Sequence, residues 1–320
     1  MSVLIFVEVA EGQIKKSSWE AIAYGAKVAE QVGGKATALV VGPAEADALA
    51  QAGALGAHQV WHANQSELAQ PMSLPYSQVV LEAVKKSGAQ VVVAAKSSLA
   101  DATLARVAGA LKAGIVGNVT SLPDLSAGFS VTRSIFTGKA FAQVAITSDV
   151  KILTLKKNTL EAELGSNQAE VSSFEVSLGA ETLVGKITET VKASGAVSLP
   201  EADIVVSGGR GMKGPEHWQP LLDLADALGA ATACSKPVSD ADWRPHHEHV
   251  GQTGVKVAPN LYIACGISGA IQHLAGVNSS KVLVVINKDP EAPFFKAADY
   301  GIVGDVFEIL PKLTAAVKGL

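Results

Sequence analysis

Short apolar runs alternate with amphipathic stretches along the first part of the chain. The apolar runs, which predict strands, cover residues 3–9, 36–41, 59–62 and 90–95. The stretches with helical periodicity cover residues 17–32, 44–55, 76–86 and 99–113. Such regular alternation is typical of a parallel sheet with helices on both faces, because parallel strands are joined by crossover helices. The pattern therefore predicts an α/β fold.

The pattern changes between residues 130 and 176. Residues 130–146 predict two strands that meet in a tight turn at Thr137-Gly138, and residues 150–155 predict a further strand. The segment 157–168 is polar and has no clear period, so we expect a connection or an insertion there. One more strand is predicted near residues 171–176.

A fresh α/β pattern begins near residue 199. Its predicted strands cover residues 202–206, 230–234, 261–265 and 281–287, followed by a short strand that ends at Asp305. Its predicted helices cover residues 215–228, 268–275 and 305–317, and a long loop covers residues 235–259. We therefore predict two domains, an N-terminal parallel-sheet α/β domain over residues 1–190 and a C-terminal doubly wound domain over residues 191–320.

The composition of the 320-residue chain disfavours several classes of protein. The net charge is −4 and no basic block is present, which disfavours nucleic-acid binding. Apolar runs such as 91–95 are too short for membrane insertion. The chain starts with MSVLIFVEV, which enters a strand pattern without an export signal or transit peptide, so we expect a cytoplasmic protein. Cys234 and Cys265 have apolar or small neighbours, which predicts reduced, buried core thiols.

The segment SGGRGMKG contains a G-x-G-x-x-G pattern between a predicted strand and a predicted helix. A nicotinamide dinucleotide site also needs a carboxylate at the end of the next strand, but Cys234-Ser235-Lys236 stands there. A nicotinamide site is therefore doubtful, and a plain glycine turn remains an alternative. Arg210 within the motif favours a phosphate or the edge of a flavin.

The segment Gly266-Ile267-Ser268-Gly269-Ala270 resembles the nucleophile elbow of hydrolases. That chemistry requires an acid and then a histidine after the serine. His273 is the one histidine after Ser268 in the sequence, and no acid lies between the two residues. We expect instead that residues 268–270, here called the cradle, hold an anion such as a diphosphate. An ordinary N-cap serine is the alternative.

Two further segments hold polar side chains with open interpretations. His246, His247, Glu248 and His249 suggest a metal, but their spacing in a loop favours solvated histidines. Residues 250–254, here called the VGQTG loop, could present Gln and Thr side chains to a planar ring.

Residues near the ends of the last strands suggest ligand contacts. Asn287 ends a predicted strand, where α/β folds bind ligands, and Asp305 could hold a ribose hydroxyl. Turn formation and helix capping are equally consistent with both residues. Gln272 and His273 are expected one turn beyond the cradle, where His273 could be charged near neutral pH or could be a core residue.

Together, SGGRGMKG, VGQTG, LYIACGISGAIQHLAG, INKDPEAPFF and ADYGIVGD resemble, in order and spacing, the FAD domain of the electron transfer flavoprotein alpha subunit. The resemblance covers residues 202–310. The first domain is more loosely similar to the N-terminal domain of this family, through VLIFVEV and residues 137–140.

The resemblance implies which residues contact FAD. The loop 250–253 is expected along the isoalloxazine with Thr253 near N5, the segment 268–272 at the diphosphate and ribityl chain, and His273 at a flavin carbonyl. Lys236 stands where the family usually has an arginine over the flavin. The full implied set is Arg210, Ser235, Lys236, Val250, Gly251, Gln252, Thr253, Ser268, Gly269, Ala270, Ile271, Gln272, His273, Asn287, Asp305 and Val306.

The resemblance also implies a function. It implies an electron carrier rather than an enzyme, in which His273, Arg210 and Lys236 provide positive charge around the flavin. The implied partners are a beta subunit that carries AMP, flavoprotein dehydrogenases such as the acyl-CoA dehydrogenases of fatty acid β-oxidation, and a membrane quinone oxidoreductase. The alternatives are an NADH-linked, possibly electron-bifurcating flavin oxidoreductase and a regulatory nucleotide-binding module.

Overall fold

The structure is a computed structural model that describes residues 1–190 and 199–319. The chain forms two compact units, Met1–Thr190 (unit 1) and Val191–Leu320 (unit 2). The predicted domain boundary therefore borders residues 191–198, which lie outside the described residues.

Unit 1 alternates strands and helices up to residue 119 and then continues with strands. The strands are β1 (Ser2–Ala10), β2 (Gln13–Ile14), β3 (Ala36–Val41), β4 (Gln59–Ala63), β5 (Ala89–Ala95), β6 (Gly114–Val119), β7 (Ser130–Ile135), β8 (Ala140–Ala145), β9 (Lys151–Leu155) and β10 (Glu170–Ser173). The helices are α1 (Lys16–Gln31), α2 (Ala46–Ala54), α3 (Ser73–Ser87) and α4 (Ser98–Leu111).

These strands form one sheet whose centre is parallel. The order is β10-β4-β3-β1-β5-β9-β6-β7-β8, with β2 paired to β1. Within residues 1–190 the antiparallel strand pairs are β1–β2, β6–β7 and β7–β8. Along β1, Val3 and Ile5 pack on one face of the sheet and Leu4 and Phe6 on the other, so this part of the strand is apolar on both faces.

Unit 1 contains a strand that the sequence pattern did not predict. Residues 114–119 form β6, which the pattern did not predict, because GIVGNV contains two glycines and an asparagine in the left-handed region (Asn118, φ 58°). The strand β9 lies between β5 and β6 in the parallel part of the sheet. The β7–β8 hairpin has a short 3₁₀ turn over Phe136–Gly138, where the tight turn was predicted.

Unit 2 is a second α/β unit. Its strands are β11 (Ile204–Gly208), β12 (Ala231–Cys234), β13 (Leu261–Cys265), β14 (Val282–Asn287) and β15 (Tyr300–Val303). Its helices are α5 (Gln219–Leu228), α6 (Lys236–Ser239), α7 (Ile271–Val277) and α8 (Val306–Lys318). Short 3₁₀ turns cover Arg210–Met212, Pro215–His217, His246–Glu248 and Pro293–Ala297.

The sheet of unit 2 is parallel, in the order β12-β11-β13-β14-β15. Apolar residues cover both faces, with Val205 and Tyr262 on one and Val206 and Ile263 on the other. The predicted α/β class and doubly wound second domain are confirmed. Because the strand order reverses between β11 and β13, the carboxyl ends of these two strands border the crevice where such folds bind ligands.

The helix predicted over residues 268–275 begins later, at Ile271, and ends at Val277. Gly266 and Gly269 adopt positive φ angles of 63° and 82°, which an α-helix does not allow. The residues of the cradle therefore form a non-helical loop ahead of the helix, and the N-cap is Ala270 rather than Ser268.

Candidate functional site

The loops after β11 and β13 interlock at the carboxyl edge of the unit 2 sheet. Gly209 N donates to the Cys265 carbonyl at 2.9 Å, and Gly211 N donates to the Gly266 carbonyl at 3.0 Å. A Cβ on Gly211 would lie 2.6 Å from the Gly266 Cα, and a Cβ on Gly266 would lie 2.7 Å from the Gly211 Cα. Gly209 and Gly211 of the G-x-G-x-x-G pattern thus allow two backbones to touch, which is a structural role.

The cradle lies directly beyond this contact and keeps its amides available. Within the described residues, the backbone N–H groups of Ser268, Gly269 and Ala270 make no hydrogen bond to the chain. The loop is held by its carbonyls instead, because Phe294 N donates to Ser268 O at 3.1 Å and Asn287 Nδ2 donates to Ile267 O at 3.0 Å. Free amides held in this way suit an anionic oxygen.

Gly269 is fixed by its neighbour as well as by its backbone conformation. A Cβ there would lie 2.4 Å from the Phe294 Cβ. Phe294 is fully buried, and its contact with Gly269 fixes the course of the cradle backbone. Sequence reasoning assigned Phe294 no role, although it belongs to the INKDPEAPFF segment.

The VGQTG loop packs on α7 and on the end of β12. Val250 N donates to Cys234 O at 3.0 Å, and Gln252 N donates to Gln272 O at 2.7 Å. A Cβ on Gly276 would lie 2.6 Å from the Gly251 Cα, so this loop and the helix also meet backbone to backbone. The side chains of Gln252 and Thr253 are exposed, whereas Val250 is buried in the core.

Arg210, Ser235 and Lys236 follow the carboxyl ends of β11 and β12. The Arg210 side chain is exposed and makes no hydrogen bond or ion pair with the rest of the described chain. Lys236 is engaged, because its Nζ donates to both carboxylate oxygens of Asp240 at 2.7 and 2.6 Å. Ser235 is buried, and its N–H donates to the Gly208 carbonyl. Arg210 is therefore the cation of this group that is free to meet a ligand.

His273 is buried on α7 and is neutral near pH 7. Its Nε2 lies 2.9 Å from the Tyr262 hydroxyl, and its ring meets the ring of Phe294 edge-on at 5.6 Å. Burial lowers the pKa of His273 to about 4, with His249 adding to the shift and the Val250 backbone opposing it. The expected positive charge on His273 is therefore not present in this structure.

Asp305 and Asn287 each form internal bonds at the same edge. Asp305 caps α8, because its Oδ1 accepts from Phe307 N at 2.9 Å, and its Oδ2 lies 3.8 and 3.9 Å from Lys213 and Lys288. The Oδ1 of Asn287 accepts from Asp289 N at 3.0 Å. Asp305 is therefore a helix cap in this structure, which was one of its two interpretations. A contact of Asp305 or Asn287 with a cofactor stays a prediction.

The remaining residues that were predicted to contact the cofactor differ in solvent exposure. Ile271 and Gln272 are exposed beside the cradle, and Ile271 is 64% exposed although it is apolar. Val306 is buried, so its backbone alone remains for a contact. Lys213, Lys288 and Tyr262 are further polar groups near the site that sequence reasoning did not select.

The long loop after β12 is anchored by a buried carboxylate. Glu248 accepts from Arg244 Nε at 2.8 Å, from Arg244 Nη2 at 2.5 Å and from the Thr232 hydroxyl at 3.0 Å. The guanidinium of Arg244 also lies over the Trp218 ring at 5.8 Å. Glu248 therefore holds the loop that leads into the VGQTG loop.

Neither the histidines of this loop nor the cysteines form a metal centre in the described part of the chain. Residues 1–190 and 199–319 bring no three His, Cys, Asp or Glu side chains together for an ion. Both cysteines are free and buried, as predicted, and burial raises the pKa of each thiol to about 12. The thiols are therefore protonated at neutral pH.

The arrangement fits a dinucleotide with a flat polar ring. The cradle amides and Arg210 suit a diphosphate. The exposed Gln252 and Thr253 offer hydrogen bonds to a ring.

Family models and curated relatives point to the same family. Residues 3–178 match the electron transfer flavoprotein domain, and residues 198–278 match the electron transfer flavoprotein FAD-binding domain. The chain is 36% identical to the electron transfer flavoprotein subunit alpha of Bacillus subtilis, over 99% of this chain and 98% of that protein.

Two other relatives match over a similar length. Identity is 33% to the electron transfer flavoprotein subunit alpha of Thermoanaerobacterium thermosaccharolyticum, over 99% of this chain and 98% of that protein. It is 36% to a probable mitochondrial electron transfer flavoprotein subunit alpha of Caenorhabditis elegans, over 99% and 93%. None of the helices described here combines the length and hydrophobicity of a membrane span.

Proposed function

The chain belongs to the electron transfer flavoprotein alpha-subunit family, and we propose that it binds FAD at the carboxyl edge of unit 2 and works as an electron carrier. The observation that carries this proposal is the set of free amides in the cradle, held between β13 and β14 beside an unpaired Arg210. The FAD-binding family model spans β11, β12, β13 and the cradle, which supports the same edge.

The residues of this edge would divide the cofactor between them. The cradle amides and Arg210 would bind the diphosphate, and Gln252 and Thr253 would hydrogen-bond the ring. Asn287, Asp305 and the backbone of Val306 would hold the adenosine side. When bound, FAD supplies a ring that accepts and gives electrons one at a time.

The positive charge available to the ring depends on which cationic side chains are already paired with carboxylates. His273 is neutral and Lys236 is paired with Asp240, so Arg210 is the free positive group near the cradle. A neutral His273 would act as a hydrogen-bond partner rather than as a fixed charge. Lys236 would add positive charge near the ring only if its ammonium group separated from the Asp240 carboxylate.

The proposal includes partners and a location. An alpha subunit implies a beta subunit, and we place AMP in that partner. Flavoprotein dehydrogenases, such as acyl-CoA dehydrogenases, would donate the electrons and a membrane quinone oxidoreductase would accept them. We place the protein in the cytoplasm, in agreement with its two free, buried thiols.

The test is a reductive titration of the protein purified with its second subunit, followed by absorbance. We expect about one releasable FAD per alpha chain, reduced in two separable one-electron stages. A colourless protein without flavin would support the regulatory module. Steady oxidation of NADH by the purified complex would support the oxidoreductase alternative.

A variant tests the site itself. We expect Arg210→Gln to weaken FAD binding about tenfold, because a charge-assisted hydrogen bond to phosphate is lost. Arg106→Gln, on the exposed face of α4 in unit 1, is the matched control and should leave FAD affinity unchanged. Equal affinities of the two variants would argue against the placement of the diphosphate.

A further inference from the structure

His249 is a buried histidine directly ahead of the VGQTG loop. The spacing of the histidines in this segment predicts solvated side chains, which is correct for His246 and His247 and wrong for His249. The backbone of His249 pairs with the end of β12, because it forms an isolated parallel bridge with Cys234. The residue is therefore held at the carboxyl edge of the unit 2 sheet.

The His249 ring lies against the VGQTG loop and occupies the space that two of its glycines leave. A Cβ on Gly254 would lie 2.8 Å from Nδ1 of His249, and a Cβ on Gly251 would lie 3.4 Å from its Nε2. The loop closes at this residue, since Val255 N donates to His249 O at 2.8 Å and Gly251 N donates to Val255 O at 3.2 Å. The two exposed residues of the loop stand between these glycines. The ring thus supports the turn from which contacts with a flavin ring are expected.

The groups that face His249 keep it neutral at pH 7. The His246 ring lies 5.7 Å from the His249 ring. Lys236 and Asp240 of α6 interact with it through their charges. His273 of α7 is close enough that His249 affects its pKa. Burial lowers the pKa of His249 below its ordinary value of 6.5, His246 and Lys236 add to the shift, and Asp240 opposes it.

Protonation of His249 would break no hydrogen bond of its ring within the described chain. Neither ring nitrogen hydrogen-bonds another described residue, and one nitrogen of a neutral imidazole can take a proton. Burial and two neighbouring cationic groups oppose the positive charge, so a negative charge brought to the VGQTG loop would favour it. Water can supply the proton, because the adjacent His246 is exposed.

We propose that His249 is a positioning residue of the ring site, which supports the VGQTG loop and takes up a proton from water when the bound ring gains an electron. The inference rests on the proposed function, in which a reduced flavoprotein supplies that electron. The ring gains one negative charge, one N–H bond forms on His249, and no atom is added to the ring. On reoxidation the electron leaves and the proton returns to water.

The first experiment counts the protons that accompany reduction. The FAD-loaded protein, purified with its second subunit, is photoreduced by one electron per FAD in weak buffer, and a pH indicator measures proton uptake. His249→Gln keeps a polar side chain that cannot be protonated, so the wild type should take up more protons than this variant, by up to about one per FAD. His247→Gln is the matched control, because it removes an exposed imidazole of the same segment and should retain the wild-type uptake.

The second experiment measures the equilibrium of the first electron as a function of pH. Each unit of lower pH should favour the reduced ring by up to about tenfold more in the wild type than in His249→Gln. His273→Gln removes the other buried imidazole and should keep the wild-type pH slope, even if it changes the equilibrium itself. A slope that is lost in His273→Gln and kept in His249→Gln would overturn the inference.

The wild type alone also decides the question if His249→Gln does not fold. We expect NMR titration of His249 to give a higher protonation midpoint in the fully reduced holoprotein than in the oxidised one. Equal midpoints would overturn the inference, as would bound FAD with equal proton uptake in the wild type and His249→Gln. Absence of FAD from the wild-type complex would instead refute the proposed function together with the inference.

Discussion

At the scale of single residues, the surroundings of His273 set its charge. The pKa is about 4 in the folded chain and about 6.5 in an unfolded chain, mainly because of burial. Between these values the unfolded chain binds a proton that the folded chain does not. The stability that depends on this residue is therefore complete above about pH 6.5 and is lost as the pH falls toward 4.

This difference predicts a pH dependence that one variant should flatten. Without FAD, unit 2 should lose up to about 1.4 kcal/mol of unfolding free energy per pH unit through His273 below pH 6.5. His273→Gln should remove this part of the slope. Urea unfolding between about pH 7.5 and pH 4.5 measures it, with Trp19 and Trp61 of unit 1 replaced by Phe so that Trp218 and Trp243 report unit 2. Equal slopes in both proteins would contradict the assignment.

A second prediction at this scale concerns the glycine contact. Gly211→Ala should destabilise unit 2 by about 2 kcal/mol, because the added Cβ meets the Gly266 backbone at 2.6 Å. Gly109→Ala is the control, since that position in α4 is open and has no positive φ angle, and it should stabilise unit 1 slightly. Thermal unfolding of both variants tests the contrast. A Gly211→Ala variant with the stability of the wild type would show that the loops can separate.

Single residues also show where sequence reasoning stops. For Gly209 and Gly211 the sequence left a phosphate or flavin site and a plain glycine turn open, and the structure places both glycines, with Gly266, in a contact between two loops. Periodicity cannot reveal this, because the contact joins positions more than 50 residues apart.

At the scale of elements, the loop from β12 to β13 depends on one ion pair. Arg244 and Glu248 form two hydrogen bonds, and Glu248 is buried. Removal of the guanidinium would leave a carboxylate in the core without its charge partner, which is far more costly than the loss of an exposed pair.

We therefore expect Arg244→Ala to lower the unfolding free energy of unit 2 by about 3 kcal/mol and to expose the loop to protease. Lys236→Ala breaks an exposed pair with the same four-residue spacing and should cost less than about 1 kcal/mol. Urea unfolding and limited proteolysis without FAD measure both effects. Equal costs for the two variants would show that the burial of Glu248 is unimportant.

Elements with strong patterns were predicted well. The strands at residues 36–41 and 261–265 have the predicted bounds, because continuous runs of buried apolar residues leave little ambiguity. The start of α7 was wrong by three residues. Gly269 and the hydrogen bond from Phe294 to the cradle decide where that helix can begin, and neither is a property of local sequence.

At the scale of the whole molecule, the predicted contacts of FAD all lie in unit 2. A ligand that binds only the folded form slows the opening of the segments that it stabilises. We expect FAD to slow hydrogen exchange in peptides from the cradle, the VGQTG loop and the segment after β11. Peptides from β1, β3 and β5 of unit 1 should be unchanged, and protection centred on unit 1 would contradict the proposed site.

The architecture was largely predictable at this scale, and the family resemblance stated from the sequence is confirmed. Alternation of strand and helix patterns gives the class, but it does not give the strand order. The position of β9 between β5 and β6, and the reversal between β11 and β13, follow from pairings between distant segments. The switch-point crevice therefore became visible only in three dimensions.

The contact between Gly211 and Gly266 has a consequence for engineering. Because the two backbones are in van der Waals contact, neither loop can accept a bulkier residue at that point unless the other retreats. A graft of the β13 loop alone into another α/β scaffold should therefore fail, whereas a transfer of both loops together should succeed. The two segments should therefore be redesigned as a pair.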